Sequence, residues 1–290
     1  MADGLIPGGM TIVYYVSPDG VVIHLSGGTL AGTEGLVLGD GPEGLGHAEA
    51  AAIFDDAARM VGEEYVATTY SKGSIDLPIH VFGRTIDEFH HKRDWLRELI
   101  SRERQGWLCV FTTLGWRMLA VRRGAIKPSL KRDPAGATGT TLFVLFYADN
   151  PLARAADGDV REWENKSGLI ANGHRALYPG REVDGWPKFT FTGPGLLRLR
   201  YDGVDGPVDL KFPVLYAGEV LKIDTEYGMQ RLRAQAANGT ERNLWPLMGG
   251  SMEPQPIPAG VVTTVKFSVT GGSSATRLWA TVPRCQEGLL

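Results

Sequence analysis

Glu182, Asp184, Asp224 and Glu226 lie among aromatic residues in a strand-rich sequence, and a carboxylate pair is what glycoside hydrolysis requires. One acid must protonate the leaving oxygen while the other acts as base or nucleophile, at a defined separation. Nothing in the spacing of these four fixes such a separation. Asp224 closes the alternating run LKID, where it serves equally to hold the turn Thr225-Glu226-Tyr227-Gly228. Trp163, Trp186, Trp245 and Trp279 have flat faces that stack on sugars, but such residues also fill cores and subunit interfaces.

Other chemistries are less well supplied. His90 and His91 are adjacent, so a helix points them in different directions, and neither has a histidine one turn away. His24 and His80 meet only if the fold brings them together. HExxH, paired CxxC, GxxxxGK[ST] and GxSxG are all absent. No catalytic, cofactor-binding or metal-binding residue is therefore assigned, and turns account for the 38 glycines.

Thirty basic and 33 acidic side chains give a formal charge of -3, which argues against a dedicated nucleic-acid binder acting through its global field. The least even stretch is 117–132. It holds Arg117, Arg122, Arg123, Lys127, Lys131 and Arg132 with no acid between them, and reads as a solvated hairpin and loop. Cys109, inside WLCVF, reads as a buried thiol, and Cys285 as an exposed one. The first residues, MADGLIPGGM, lack the basic head and apolar segment of a secretory signal, and no run approaches 18 apolar residues. Synthesis in a reducing cytoplasm follows, with the sequons at Asn165 and Asn238 left unmodified.

The elements that must position these residues are mostly strands. TIVYYV and VVIHL flank Ser17-Pro-Asp-Gly20 as a hairpin. A loop follows to Gly46, broken by Leu36-Val37-Leu38. The alanine-rich stretch 48–60 predicts a short helix. Two β segments surround Ser71-Lys-Gly-Ser74. The clearest helix is 85–104, with Thr85 and Glu88 as a capping box and Ile86, Phe89, Leu96, Leu99 and Ile100 as its apolar stripe. Glu88-Lys92 and Glu98-Arg102 have favourable helical spacing. WLCVFTT and WRMLAVRR form another hairpin, and TLFVLFYAD a further strand. A boundary falls in the polar stretch after Pro151. Beyond it KFTFTG, LLRLRY, VDLKFPV, VLKID, VTTVKFSV and TRLWATV recur at the spacing of a β-sandwich.

The order of several of these segments is itself informative. RDWLRELISRERQGWLCVFTTLGWRMLAVRR, LKRDPAG and YADNP in the first half precede GWPKFTFTGPG, LKIDTEYG and PIPAG before VTTVKFSV in the second. In this order the chain resembles the distal tail protein family of long-tailed, non-contractile bacteriophages, particularly the minor tail proteins of phages infecting mycobacteria and related actinobacteria. The resemblance covers most of the chain. Stretch 40–62 and the long approach at 165–185 depart from the family's simplest pattern.

The resemblance implies a mainly β protein. Residues 1–155 would be a ring-forming belt domain with one substantial helix, and 156–290 a peripheral, galectin-like β-sandwich. It implies a structural, non-enzymatic role at the distal end of the tail, as a homo-hexameric ring between the tail-tube protein and the hub and other tip components. Trp95, Trp107, Trp116, Arg122, Arg123 and Trp186 are the candidate assembly residues. The alternative is a carbohydrate-binding tail module recognising a host cell-wall glycan. Likeness to galectins does not carry sugar binding with it, since fold alone does not determine function.

Overall fold

The computed structural model describes residues 11–55, 61–129, 133–155, 160–166, 168–226, 231–248 and 252–290. Lys131, Arg132, Tyr227, Gly228, the segment 1–10 and the end of the alanine-rich run, 56–60, lie outside the described residues. The chain forms two units. The first runs to Arg154 and takes back Glu287–Leu290, and the second is Ala155–Gln286. A single cut at 155/156 differs from this division at Ala155 and at the last four residues.

In the first unit, β1 (Ile12–Val16), β2 (Val22–Ser26), β3 (Leu36–Leu38), β6 (Gly73–Phe82), β7 (Gly106–Thr112), β8 (Gly115–Pro128) and β9 (Gly139–Ala148) pair in the order β2-β1-β7-β8-β9-β6-β3. Every pairing along this path is antiparallel. Alternate residues turn inward: Val13 and Tyr15, Leu108 and Val110, Leu119 and Val121, then Leu142, Val144 and Phe146. The hairpin at 17–20 closes through Ser17, whose hydroxyl accepts the Val21 amide at 3.0 Å, while Gly20 adopts φ 84°.

α1 (Ile86–Leu99) covers part of this core with Phe89 and Leu96. Thr85 caps it, its hydroxyl accepting the Glu88 amide at 3.1 Å. The returning bond from Glu88 reaches the Arg84 amide, at 2.7 Å, rather than that of Thr85. Glu88 also pairs with Lys92 at 2.7 Å. The helix stops five residues short of Arg104. Ser101 explains the stop, because its hydroxyl takes the amides of Glu103 and Arg104 in a turn that competes with helix. Arg102 therefore leaves the helical register of Glu98, and Ile86, 41% exposed, is not part of the buried stripe.

The alanine-rich segment is not helical where it is described. β4 (Ala50–Asp55) pairs antiparallel with β5 (Glu64–Tyr70) as an isolated two-stranded ribbon. Alanine's helix propensity is worth only tenths of a kcal/mol per residue against most others, on the order of 0.5. The β-branched and aromatic run EYVATTY offers a ladder of backbone partners instead, with one bulge between Ile53 and Phe54. Phe54 and Tyr65 pack edge to face across it, 6.2 Å between centroids.

The returning C-terminal residues complete the first unit. Leu289 is buried in its core, and its amide donates to the Leu45 carbonyl at 2.9 Å. Glu287 accepts the Tyr70 hydroxyl at 2.9 Å, and its carbonyl takes the Ala48 amide at 2.6 Å. Short strands at Ala153–Ala155 (β10) and Cys285–Gln286 (β21) lie at the two crossings of the chain.

The second unit is built from two antiparallel sheets. One has the order β11 (Arg161–Glu164), β20 (Arg277–Thr281), β13 (Lys188–Thr192), β16 (Val220–Asp224), β17 (Arg231–Gln235), β18 (Glu241–Asn243). The other runs β12 (Ile170–Leu177), β19 (Thr263–Thr270), β14 (Leu196–Gly203), β15 (Gly206–Lys211). Phe189 and Phe191 from the first meet Leu197, Leu199, Val265 and Phe267 from the second in one core. WPKFTFT thus supplies a central strand, with its phenylalanines on the buried face. Among the described residues the molecule is mainly β with one α-helix.

Candidate assembly surface

The outward face of β2, β1, β7 and β8 carries almost no polar residue. Register places Val22, Val16, Trp107 and Ala120 in one row across the four strands. His24, Tyr14, Cys109 and Met118 form the next, and Ile12, Phe111 and Trp116 the third. An antiparallel sheet covering a core on one side normally turns polar side chains to water on the other. Here both faces are apolar, and the local reason is visible in the strands themselves. IVYYV and GWLCVFT are apolar at both parities, and in WRMLA only Arg117, on the inward parity, departs.

Aromatic contacts consolidate the face. Trp116 lies 4.9 Å from Tyr14 and 4.9 Å from Phe111, centroid to centroid. These strands hide Cys109, whose thiol is pushed up to about 11 by burial, partly offset by a hydrogen bond with Tyr14. Tyr14 is likewise raised, first by burial and then by Cys109. His24, the one ionisable side chain among these besides Tyr14 and Cys109, holds Glu34 at 2.9 Å. Trp107 and Val22 remain 38% and 37% exposed, so this face meets solvent.

A second exposed apolar element belongs to the same unit. Along the β4–β5 ribbon, Ile53, Phe54, Tyr65 and Val66 are all exposed. An isolated two-stranded hairpin is at best marginally stable in water, so such a ribbon gains order from whatever covers it.

Of the six residues singled out in the sequence, Trp107 and Trp116 lie on the apolar face. Trp95 does not: it is half-buried against the first unit's core from α1. Arg122 donates from Nε to Asp149 at 2.7 Å, where Gln105 also donates at 2.9 Å. Arg123 donates to the Arg97 carbonyl at 2.6 Å, near the C-terminal end of α1, where a cation is favoured. Burial, then the charges of Arg102 and Arg97, lower its pKa. Trp186 sits half-buried in the second unit beside Pro187. Tyr14, Phe111 and Met118 were not singled out, although the loss of alternation in their strands marks them.

The basic run 117–132 is not one solvated patch. Arg117 turns inward, 7% exposed, and its guanidinium donates to the Gly288 carbonyl at 3.3 Å and to the Leu290 main-chain oxygen. A charge-assisted pair of this kind holds the returning C-terminal residues in place.

Three of the four carboxylates considered for hydrolysis have structural duties, and the fourth, Glu182, is exposed. Lys188 bridges Asp224 at 2.8 Å and Glu226 at 3.3 Å, and Asp224 also accepts the Glu226 amide. Thr225, fully buried, donates to the Pro187 carbonyl at 2.6 Å. Asp184 accepts the Ala259 amide at 2.7 Å. The four tryptophans proposed for stacking are all half-buried, and Trp163 packs edge-on against Phe267 at 5.0 Å. Asn165 is 3% exposed and closes its own loop onto the Gly168 backbone, so its side chain is folded away. Cys285 is half-buried rather than exposed. Among the described residues, no three His, Cys, Asp or Glu side chains converge as a metal would require, and no helix is long and apolar enough to cross a membrane.

No protein-family model matches the sequence, and no curated protein matches it. Solved structures do. The Dit protein of phage SPP1, presented as a paradigm of the hub adsorption apparatus of phages infecting Gram-positive bacteria, superposes with a TM-score of 0.61 at 11% identity, over 94% of this chain and 99% of that one. A chain of the phage p2 baseplate in its activated conformation with strontium gives 0.55 at 11% identity, covering 96% and 99%. The calcium form of that baseplate gives 0.55 at 10%, covering 96% and 99%. At such identities the likeness establishes the fold, and it does so over nearly the whole of both chains.

Proposed function

We propose that this chain is a structural component of a distal phage tail tip, a distal tail protein whose copies close into a ring joining the tail tube to the hub or host-adhesion apparatus. The observation that carries this is the doubly apolar sheet of the first unit. A face on which Trp107 is exposed and Tyr14, Phe111, Trp116 and Met118 are half-buried still leaves apolar surface in water, and contiguous apolar patches of this kind mark protein–protein contacts. The whole-length fold likeness to the Dit protein of a hub adsorption apparatus and to baseplate chains supports this class of assembly.

In this account the first unit is the ring-forming belt and the second a peripheral, galectin-like sandwich. Six copies form the ring, with the tail-tube and hub proteins on either side and the virion's distal tail as its location. A contact between unlike surfaces of successive copies closes by cyclic symmetry and does not run on as an open polymer. The β4–β5 ribbon of one copy and the apolar face of the next are the two surfaces such a contact needs. Trp107 and Trp116 act directly in it. Trp95, Arg122 and Arg123 act by fixing the helix and β8, and Trp186 belongs to the peripheral unit. The protein has no catalytic role in this reading, and the paired carboxylates and half-buried tryptophans described above do not favour a stacking-type glycan module.

Negative-stain electron microscopy of the purified protein tests the proposal. Closed rings of uniform diameter are expected, lost in Met118→Asp with circular dichroism unchanged. Rings that persist with that charge on the face would remove the face from the account.

A further inference from the structure

The β4–β5 ribbon stands on a narrow footing. Nearly every residue of its two strands is exposed, and they pair with no other strand. Its direction is therefore set where its two legs meet the body of the first unit. The leaving leg runs from Tyr70 into β6. The entering leg is tied to β6 at Glu43, which exchanges backbone bonds with Asp76 at 2.9 and 3.1 Å. Between Leu45 and Ala48 the backbone partners come instead from the returning residues Glu287–Leu290. The Leu45 carbonyl accepts the amides of Leu289 and Leu290 at 2.9 and 3.2 Å, and the Ala48 amide donates to the Glu287 carbonyl at 2.6 Å.

The same segment reaches the other leg. Glu287 Oε1 accepts the Tyr70 hydroxyl at 2.9 Å, next to the Ser71 amide that donates across the footing to the Glu49 carbonyl at 3.1 Å. His47 approaches the other Glu287 oxygen at 3.8 Å. Gly288 lies so close to the entering leg that a Cβ there would run into the Gly46 carbonyl, a main-chain atom that cannot swing aside. Its φ is outside the left-handed region, so this close approach, not the local backbone, is what asks for glycine. Arg117 fastens the segment from its other side through the Gly288 and Leu290 oxygens.

We propose that Glu287–Leu290 is a latch that fixes the direction of the β4–β5 ribbon, with Glu287 and Gly288 as its positioning residues. Anchorage in the core needs only the buried Leu289. The bonds of Glu287 to both legs and the bare backbone at 288 serve the ribbon. The preceding residue, Gln286, closes the second unit, so the ribbon of the first unit is footed on a segment that the second delivers. One consequence rests on the ring assembly proposed above: a ribbon already held in place loses less freedom when it docks on the next copy, so the latch favours assembly.

Double electron–electron resonance on the full chain tests the latch. Nitroxides are placed at Ala52→Cys in β4 and Glu98→Cys on α1, both exposed positions, in a Cys285→Ser background with Cys109 buried. Labelled protein is diluted into unlabelled protein so that only distances within one chain are read. The parent should give one narrow distance. Gly288→Ala should make the distribution roughly twice as broad or more, since a hairpin without its footing holds no fixed course. Tyr70→Phe, outside the core, should broaden it to a lesser extent. A parent distribution that is already broad overturns the latch, as does an unchanged width in both variants. If Gly288→Ala loses the parent's circular dichroism, Tyr70→Phe decides: broadening upholds the latch and an unchanged width overturns it. Light scattering of the unlabelled proteins reads assembly separately, and its midpoint concentration should rise roughly threefold or more in Gly288→Ala. A broadened ribbon with assembly as in the parent overturns the latch's part in docking. A parent that stays monomeric while its variants broaden upholds the latch and removes ring assembly, so the two failures are distinguishable.

Discussion

Leu289→Ala should loosen the first unit although residue 289 lies more than 130 positions beyond the body of that unit in sequence. The side chain is 1% exposed in a core shared with Leu45, Ile75 and Leu119. Truncating a buried leucine costs about 2–5 kcal/mol, by lost transfer free energy plus the cavity left behind. A short docked segment can also relax around the change, which caps the loss, so the low end, about 2–3 kcal/mol, applies here. At about 1.4 kcal/mol per tenfold, that is a roughly 30- to 150-fold rise in the population of the open first unit. Native-state hydrogen exchange read by mass spectrometry separates the two units directly. Amides of β6, β7 and β9 should exchange faster by about that factor, with β13, β14 and β19 little changed. Phe191→Ala, in the other core, should give the mirror pattern, since burial of a phenylalanine there is complete. Unchanged exchange in β6, β7 and β9 of Leu289→Ala would refute the docking of the returning segment.

Arg117→Met should mimic Leu289→Ala, because the Gly288 and Leu290 oxygens lose a charged donor worth about 1.5–3 kcal/mol; thermal unfolding followed by first-unit exchange checks this. Thr85→Ala removes the cap of α1 and should cost about 1 kcal/mol, measured by urea denaturation. Glu219 should give the second unit an acid-labile component. Burial opposes its ionisation, but the bonds from Arg242 and the Tyr216 amide, with the charge of Arg242, outweigh that and hold its pKa below the ordinary 4.5. A lowered carboxyl stabilises above its unfolded pKa and loses that contribution as pH falls through the folded value. Glu219→Gln should therefore destabilise at pH 7 and become neutral in strong acid, and an effect independent of pH across a urea-denaturation series would refute the pairing. Cys109 should resist iodoacetamide at pH 8 in the native protein and react after unfolding, as peptide mass spectrometry reads out.

The strands were largely legible because the pattern that defines them is local. TIVYYV, KFTFT, LLRLR and VTTVKFSV alternate or carry β-branched residues, and each lies in the register that its apolar positions dictate. IANGHRAL was harder to see: only Ala171 and Leu177 of β12 are buried apolar anchors, and its inward Gly173 lies where any side chain would meet the Phe267 ring. The helix over the alanine-rich run was wrong because composition was weighed without a partner, and β5 supplied one. Arg117 looked like its basic neighbours, but its duty depends on a segment about 170 residues away, which no window along the chain contains. The same holds for the apolar face. Trp107 and Trp116 stood out by type, but only register aligns them with Tyr14, Phe111 and Met118.

The absolute mass of the protein in solution, by size-exclusion chromatography with multi-angle light scattering over a tenfold concentration range, tests ring assembly most directly. The account predicts a closed species near six times the 31.5 kDa chain for the parent protein and a monomer for Met118→Asp. A parent protein that is strictly monomeric at every concentration, or a variant that still assembles, would contradict it.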